Sequence, residues 1–126
     1  MARSQQDWAA LLAEYPAVTV EYPFGPESRV VKAGGKMFAL LTEDEEPPRI
    51  TLKADPERSE EWRAIYPDHV LPGYYMNKRH WNTVRLDGAI PEEEVVEMID
   101  HSFDRVVAGL PKTERPRFLR VPSRES

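Results

Sequence analysis

A chain of 126 residues without cysteine, carrying 22 Asp and Glu against 17 Lys and Arg, has room for one domain with its own core and excludes disulfides and thiolate metal centres. Its formal net charge of −5 argues against a general polyanion binder and leaves only local basic patches for that role. No apolar run reaches the ~18 residues of a membrane helix, and the first fifteen residues hold no apolar signal segment, so the expectation is a soluble cytoplasmic protein with no membrane partner.

The first predicted element is a helix near residues 4–15. Ser4 and Asp7 have capping-box spacing, and Trp8, Leu11, Leu12 and Tyr15 fall on one face at helical intervals. Pro16 ends it, because its ring disfavours helix at the preceding residue. Two β-rich runs then flank Gly34-Gly35, a pair suited to the positive φ angles of a tight hairpin. Met37 to Leu41 is apolar throughout and predicts a strand covered on both faces. After the acidic loop EDEEPP, the segment RITLKA alternates, with Ile50 and Leu52 on one face and Thr51 and Lys53 on the other.

Asp55-Pro56 starts a second helix near 56–65, capped by Asp55 with Pro56 at the first position; Trp62, Ile65 and Tyr66 form its apolar stripe. A strand follows over Trp81–Leu86, between the turn signals Pro72-Gly73 and Asp87-Gly88. Residues 91–108 form the longest helix, with Glu92, Glu93 and Glu94 in its first turn complementing the helix dipole. Its apolar stripe runs through Val95, Val96, Ile99, Phe103, Val106, Val107 and Leu110, and Gly109 is placed as the residue after its end. The resulting fold class is α+β, a two-layer domain with a mainly antiparallel sheet and three helices over residues 1–111, followed by a basic, flexible tail over 112–126.

The segment His69–Leu86 contains no acid, and within it PGYYMNKRHWNTVRL crowds aromatics, amides and cations. Lys78, Arg79 and Arg85 can meet phosphates, Asn77 and Asn82 can bond base edges or backbone, and Tyr74, Tyr75, His80 and Trp81 can stack on exposed bases. The structural alternative is that Trp81 is core and that Asn77 and Asn82 shape the turn. Lys32 and Lys36 flank the hairpin and can touch phosphate, although a tight turn with solubilising lysines accounts for them as well. The sequence AGGK lacks the Gly-spaced loop of a P-loop.

An enzyme finds no support. There is no catalytic cysteine, no Gly-x-Ser-x-Gly elbow and no His-Glu-x-x-His helix. His69, His80 and His101 lack metal-ligand spacing, so neither a metal nor a cofactor is expected. His101 falls one turn after Glu97, which suits a surface pair. A protein-partner module is the remaining class, with Tyr22, Phe24, Tyr74 and Tyr75 as candidate anchors.

Four elements together carry a resemblance: Tyr22–Gly25 (YPFG), Gly34–Leu40 (GGKMFAL), Leu52–Pro56 (LKADP) and Gly73–Trp81 (GYYMNKRHW). Over about residues 8–111 the chain closely resembles the MmcQ/YjbR family, and the last block is specific to that family. The resemblance implies a secretion-chaperone-like, two-layer α+β fold. It also implies a DNA-binding role, a label that rests on a double-wing shape and not on a demonstrated target.

Overall fold

The computed structural model describes residues 5–42, 47–73 and 76–119. Six strands form one antiparallel sheet: β1 (Val18–Glu21), β2 (Ser28–Ala33), β3 (Lys36–Thr42), β4 (Arg49–Lys53), β5 (Val70–Pro72) and β6 (Trp81–Arg85), in the spatial order β1-β2-β3-β4-β6-β5. Three helices accompany them: α1 (Gln5–Ala13), α2 (Pro56–Ile65) and α3 (Glu92–Ala108). The expected two-layer α+β fold is present. Two edge strands, β1 and β5, were not anticipated, because four- and three-residue segments are too short to display a period.

The register divides the sheet into two faces. Ala39 opposite Leu52, Leu41 opposite Ile50 and Ile50 opposite Val84 place these residues on one face, where α3 lies over β3 and β4. Beside α3, the α1 residue Leu12 and nearby Tyr15 enter the same core, Tyr15 meeting Phe38 and Phe103 at ring-centroid distances of 5.6 and 5.0 Å. From the other side, α2 reaches α3 through an edge-on contact of Trp62 with the His101 ring. All three helices therefore share one face. Successive strand residues alternate sides, so Val30, Leu40, Thr51, Thr83 and Leu71, which stand opposite one another in sequence of strands, line the helix-free face. Val30 is buried but lies outside the main core cluster, as that assignment requires. Leu40 is half-exposed, so β3 is less fully covered than its apolar run suggests.

Two local devices lock the layers. Ser102 on α3 donates from Oγ to Phe38 O at 2.5 Å and accepts from Lys53 N at 2.9 Å, one hydroxyl spanning the point where β3 and β4 diverge. Gly34 and Gly35 adopt φ of 60° and 81°, the left-handed values a two-residue hairpin needs. A Cβ on Gly34 would approach Leu110 Cδ1 to 2.7 Å. The hairpin thus packs against the end of α3 and is not a free wing.

Some sequence expectations give way. Ile65 is 63% exposed, because α2 ends there and its apolar stripe reduces to Trp62 and half-buried Tyr66. Gly109 has φ −85° and ψ −3°, a right-handed end to α3. Instead, Arg115 caps that end, its guanidinium donating to Leu110 O and Ala108 O, each at 2.9 Å. The tail expected to be flexible from residue 112 differs in its first part: Arg115–Phe118 is a 3-10 helix whose Phe118 is buried beside Phe103. Ser4 and residues 120–126 lie outside the described residues.

Candidate nucleic-acid interface

Lys78, Arg79 and His80 form a turn leading into β6, at the sheet end where β6 meets Lys53 and where the hairpin also lies. The turn has its own internal logic. Asn77 Oδ1 accepts from Arg79 N at 2.9 Å and Asn77 O from His80 N at 3.1 Å, so Asn77 spends its carbonyl groups on the backbone, as the structural alternative held. Lys78 and Arg79 are exposed. His80 is half-buried, its carbonyl accepting from Ala54 N at 2.8 Å, and its Nδ1 has no acceptor or donor among the described residues.

The residue that holds this block is Arg63, at the end of α2. Its Nε donates to Asn82 Oδ1 at 2.7 Å, and its Nη2 donates to Lys78 O and, at 3.2 Å, to Trp81 O. One planar guanidinium thus ties the turn, the start of β6 and a buried amide to a helix. Gly73 completes the frame: its N–H donates to Trp81 O at 2.8 Å, and a Cβ there would stand 2.8 Å from Trp81 Cβ. Only glycine permits that approach.

Trp81 is half-buried on the helix-free face, opposite Lys53, and does not belong to the core cluster. Two residues along, Thr83 shares a hydrogen bond with Thr51, the hydroxyl oxygens 3.0 Å apart. Arg85 comes next, opposite Arg49. Four steps of β6 separate Trp81 from Arg85, about 13 Å, so Arg85 and the 77–80 turn mark opposite ends of one face. The candidates do not form one cluster. Lys32 is engaged with Glu21, Nζ to Oε1 at 2.9 Å, while Lys36 stands exposed beside the hairpin. Tyr74, with Tyr75, lies outside the described residues.

Charge is divided between the layers. Among the described residues, the strands carry Arg29, Lys32, Lys36, Arg49, Lys53 and Arg85 against a single acid, Glu21. The helices carry Asp7, Glu57, Glu60, Glu61, Glu92, Glu93, Glu94, Glu97, Asp100 and Asp104 against Arg58, Arg63 and Arg105. Sequence reasoning missed Arg49, Lys53 and Arg63 as contributors. The alternation of RITLK had already put Lys53 opposite the core side, and the same period extends to Arg49; no local signal marks Arg63, whose partners are 15 to 19 residues away.

His101 does not form the expected surface pair with Glu97. Its Nε2 accepts from Asp55 N at 3.1 Å, and Trp62 packs edge-on against it, while Glu97 pairs instead with Arg58 at 2.9 Å. Burial, and then the positive charges of Arg58 and Arg105, hold its pKa below the usual histidine value. Asp55 begins α2 without a side-chain cap; its own amide N–H donates to the His101 imidazole. His69 contacts Asp87 at 2.9 Å. Among the described residues no three His, Asp or Glu side chains gather as a metal site, and no helix is long and apolar enough to cross a membrane.

A six-stranded antiparallel sheet with its three helices on one side defines a two-layer α+β domain of the YjbR type. The YjbR family model matches residues 13–105, and the chain belongs to that family. Among its relatives is the uncharacterized protein YbdF of Escherichia coli O157:H7, 43% identical over 107 residues, which are 85% of this chain and 87% of that one. The uncharacterized protein YjbR of Escherichia coli K12 is 36% identical over 91 residues, covering 72% of this chain and 76% of its own. The crystal structure of Deinococcus radiodurans protein DR2400, whose family-model domain is DUF419, superposes with a TM-score of 0.86 at 37% identity, over 93% of this chain and 88% of that one.

Proposed function

We propose that this chain is a non-enzymatic binding module that takes an extended polyanion, single-stranded DNA first, across the helix-free sheet face and the 77–80 turn. The observation that carries the reading is the division of charge: among the described residues, the strands of this net-acidic protein carry one acid against six cations. An extended polyanion on that face passes Lys53 at one end and Arg85 at the other, about 13 Å apart. The helical carboxylates belong to the layer on the opposite side of the sheet. Lys78 and Arg79 extend the basic surface, and Trp81, exposed in part beside Lys53, supplies a stacking plane whose removal costs about 1–3 kcal/mol per base.

The test is a titration of fluorescein-labelled single- and double-stranded DNA with wild type, Lys78→Ala/Arg79→Ala and Trp81→Ala. The reading expects weak binding at low salt, a preference for the single strand, and losses in both variants. No binding at low salt, or equal binding by all three proteins, removes it. A protein partner is the second reading, favoured by Val20, Tyr22 and Phe24, which are 39, 46 and 69% exposed along the β1 edge and the loop after it. An edge strand offers unpaired backbone groups to an added strand.

A further inference from the structure

On the helix-free face the register aligns Ser28, Thr42, Arg49 and Arg85 in one transverse row, Ser28 opposite Thr42, Thr42 opposite Arg49, and Arg49 opposite Arg85. The row lies at the sheet end away from the 77–80 turn. It is composed of two hydroxyl donors followed by two guanidinium groups. Facing residues of adjacent antiparallel strands have Cα atoms about 4.5–5.5 Å apart, so the two arginine side chains start close enough to converge on one small anion.

Arg85 carries the weight. Its Nε is buried with no acceptor among the described residues, and no ion pair is formed by its guanidinium there. The Nε atoms of Arg58 and Arg105 are likewise buried without a hydrogen-bond partner among the described residues; what sets Arg85 apart is its place in the row, where an oxyanion can supply the acceptor. The Nε–H and one terminal N–H of a guanidinium present parallel donors that match two oxygens of a phosphate. The backbone at Arg85 is fixed independently, its N–H donating to His69 O at 2.9 Å, so the side chain can turn onto a ligand without disturbing β6. Thr42 and Ser28, both half-buried, present hydroxyls at the same level of the sheet.

We propose that this row is a subsite for one phosphate group, centred on Arg85 and flanked by Arg49 and Thr42. The proposal rests on the polyanion reading of this face and deepens it: a strand entering at the 77–80 turn and passing Trp81 and the Thr51–Thr83 pair would place a phosphate about 13 Å further on, at Arg85.

The test uses the full chain labelled with nitrogen-15, titrated with inorganic phosphate at constant ionic strength balanced by chloride. The expected result is a set of saturating amide shifts at Ser28, Thr42, Arg49 and Arg85, at least tenfold weaker in apparent affinity in Arg85→Gln and intermediate in Arg85→Lys, which keeps the charge but loses the fork. Lys78→Ala/Arg79→Ala should leave them unchanged. The spectrum of Arg85→Gln away from the row shows that the variant is folded. Absent shifts, shifts centred on residues 77–80, or shifts indifferent to Arg85→Gln overturn the proposal. An oligonucleotide arm separates the two readings: binding that is equal in wild type and Arg85→Gln overturns the subsite and leaves the polyanion face standing. Phosphate shifts that depend on Arg85, with no oligonucleotide binding, uphold the subsite and remove the polynucleotide.

Discussion

Protonation of His101 should loosen the start of α2. In the folded protein Nε2 accepts the Asp55 amide, which it can do only as neutral imidazole; the proton added at low pH removes the acceptor and places a cation near Arg58 and Arg105. Asp55 and Asp104 offset part of that repulsion, and the net effect of the surroundings is a depressed folded-state pKa. The sign follows from linkage: the unfolded chain binds this proton more readily, so the stabilisation is fully present above about pH 6.5, the ordinary histidine value, and declines as pH falls toward the lower folded pKa. A neutral hydrogen bond contributes about 0.5–1.5 kcal/mol, so the loss is about 1 kcal/mol, or roughly 3–5 °C in Tm for a domain of this size. The assay is urea unfolding of wild type and His101→Gln at pH 7.5 and pH 5. Glutamine keeps an acceptor that does not titrate, and the difference between the two proteins cancels the other ionising groups. Wild type should lose about 1 kcal/mol more than the variant on acidification. Identical pH dependence in the two would refute the reasoning.

Other expectations follow from particular contacts. Arg63→Ala strips the donor from buried Asn82 Oδ1 and from two carbonyls and should cost about 1–3 kcal/mol, with lower affinity for single-stranded DNA as the 77–80 turn loosens; denaturant midpoints and titration check both. Gly73→Ala must displace the Trp81 backbone, whose carbonyl oxygen lies 3.1 Å from the new Cβ, for a loss of about 1–3 kcal/mol and altered Trp81 fluorescence. Phe118→Ala opens a void beside Phe103 and should cost about 3 kcal/mol, at the low end for such a deletion, measured by thermal unfolding; an unchanged Tm would mean that the 3-10 helix contributes nothing to the core.

The sequence announced elements wherever a period or a backbone requirement was complete in itself. The α3 stripe, Pro56 at the start of α2 and the glycine pair of the hairpin each needed only local residues, and each has its expected place. Functions set by distant partners were not legible. His101 looked like a surface residue because its helix position relative to Glu97 is all that spacing reports, whereas Asp55 and Trp62 determine its role. Trp81 could be assigned to core or surface only by knowing which side of β6 the helices occupy. The tail lacked periodicity, yet a single phenylalanine and a capping arginine suffice to seat it against α3. The charge division was visible only after the strands were delimited, because net charge averages over both layers.

The central claim, that the helix-free face holds a polyanion by its own cations, is tested most directly by the salt dependence of single-stranded DNA binding to wild type and to Lys53→Ala/Arg85→Ala. Four contacts, from Lys53, Lys78, Arg79 and Arg85, give a log–log slope of about −3, and removing two of them should bring it to about −1.4. A slope near zero, or one unchanged by the double substitution, would contradict the claim.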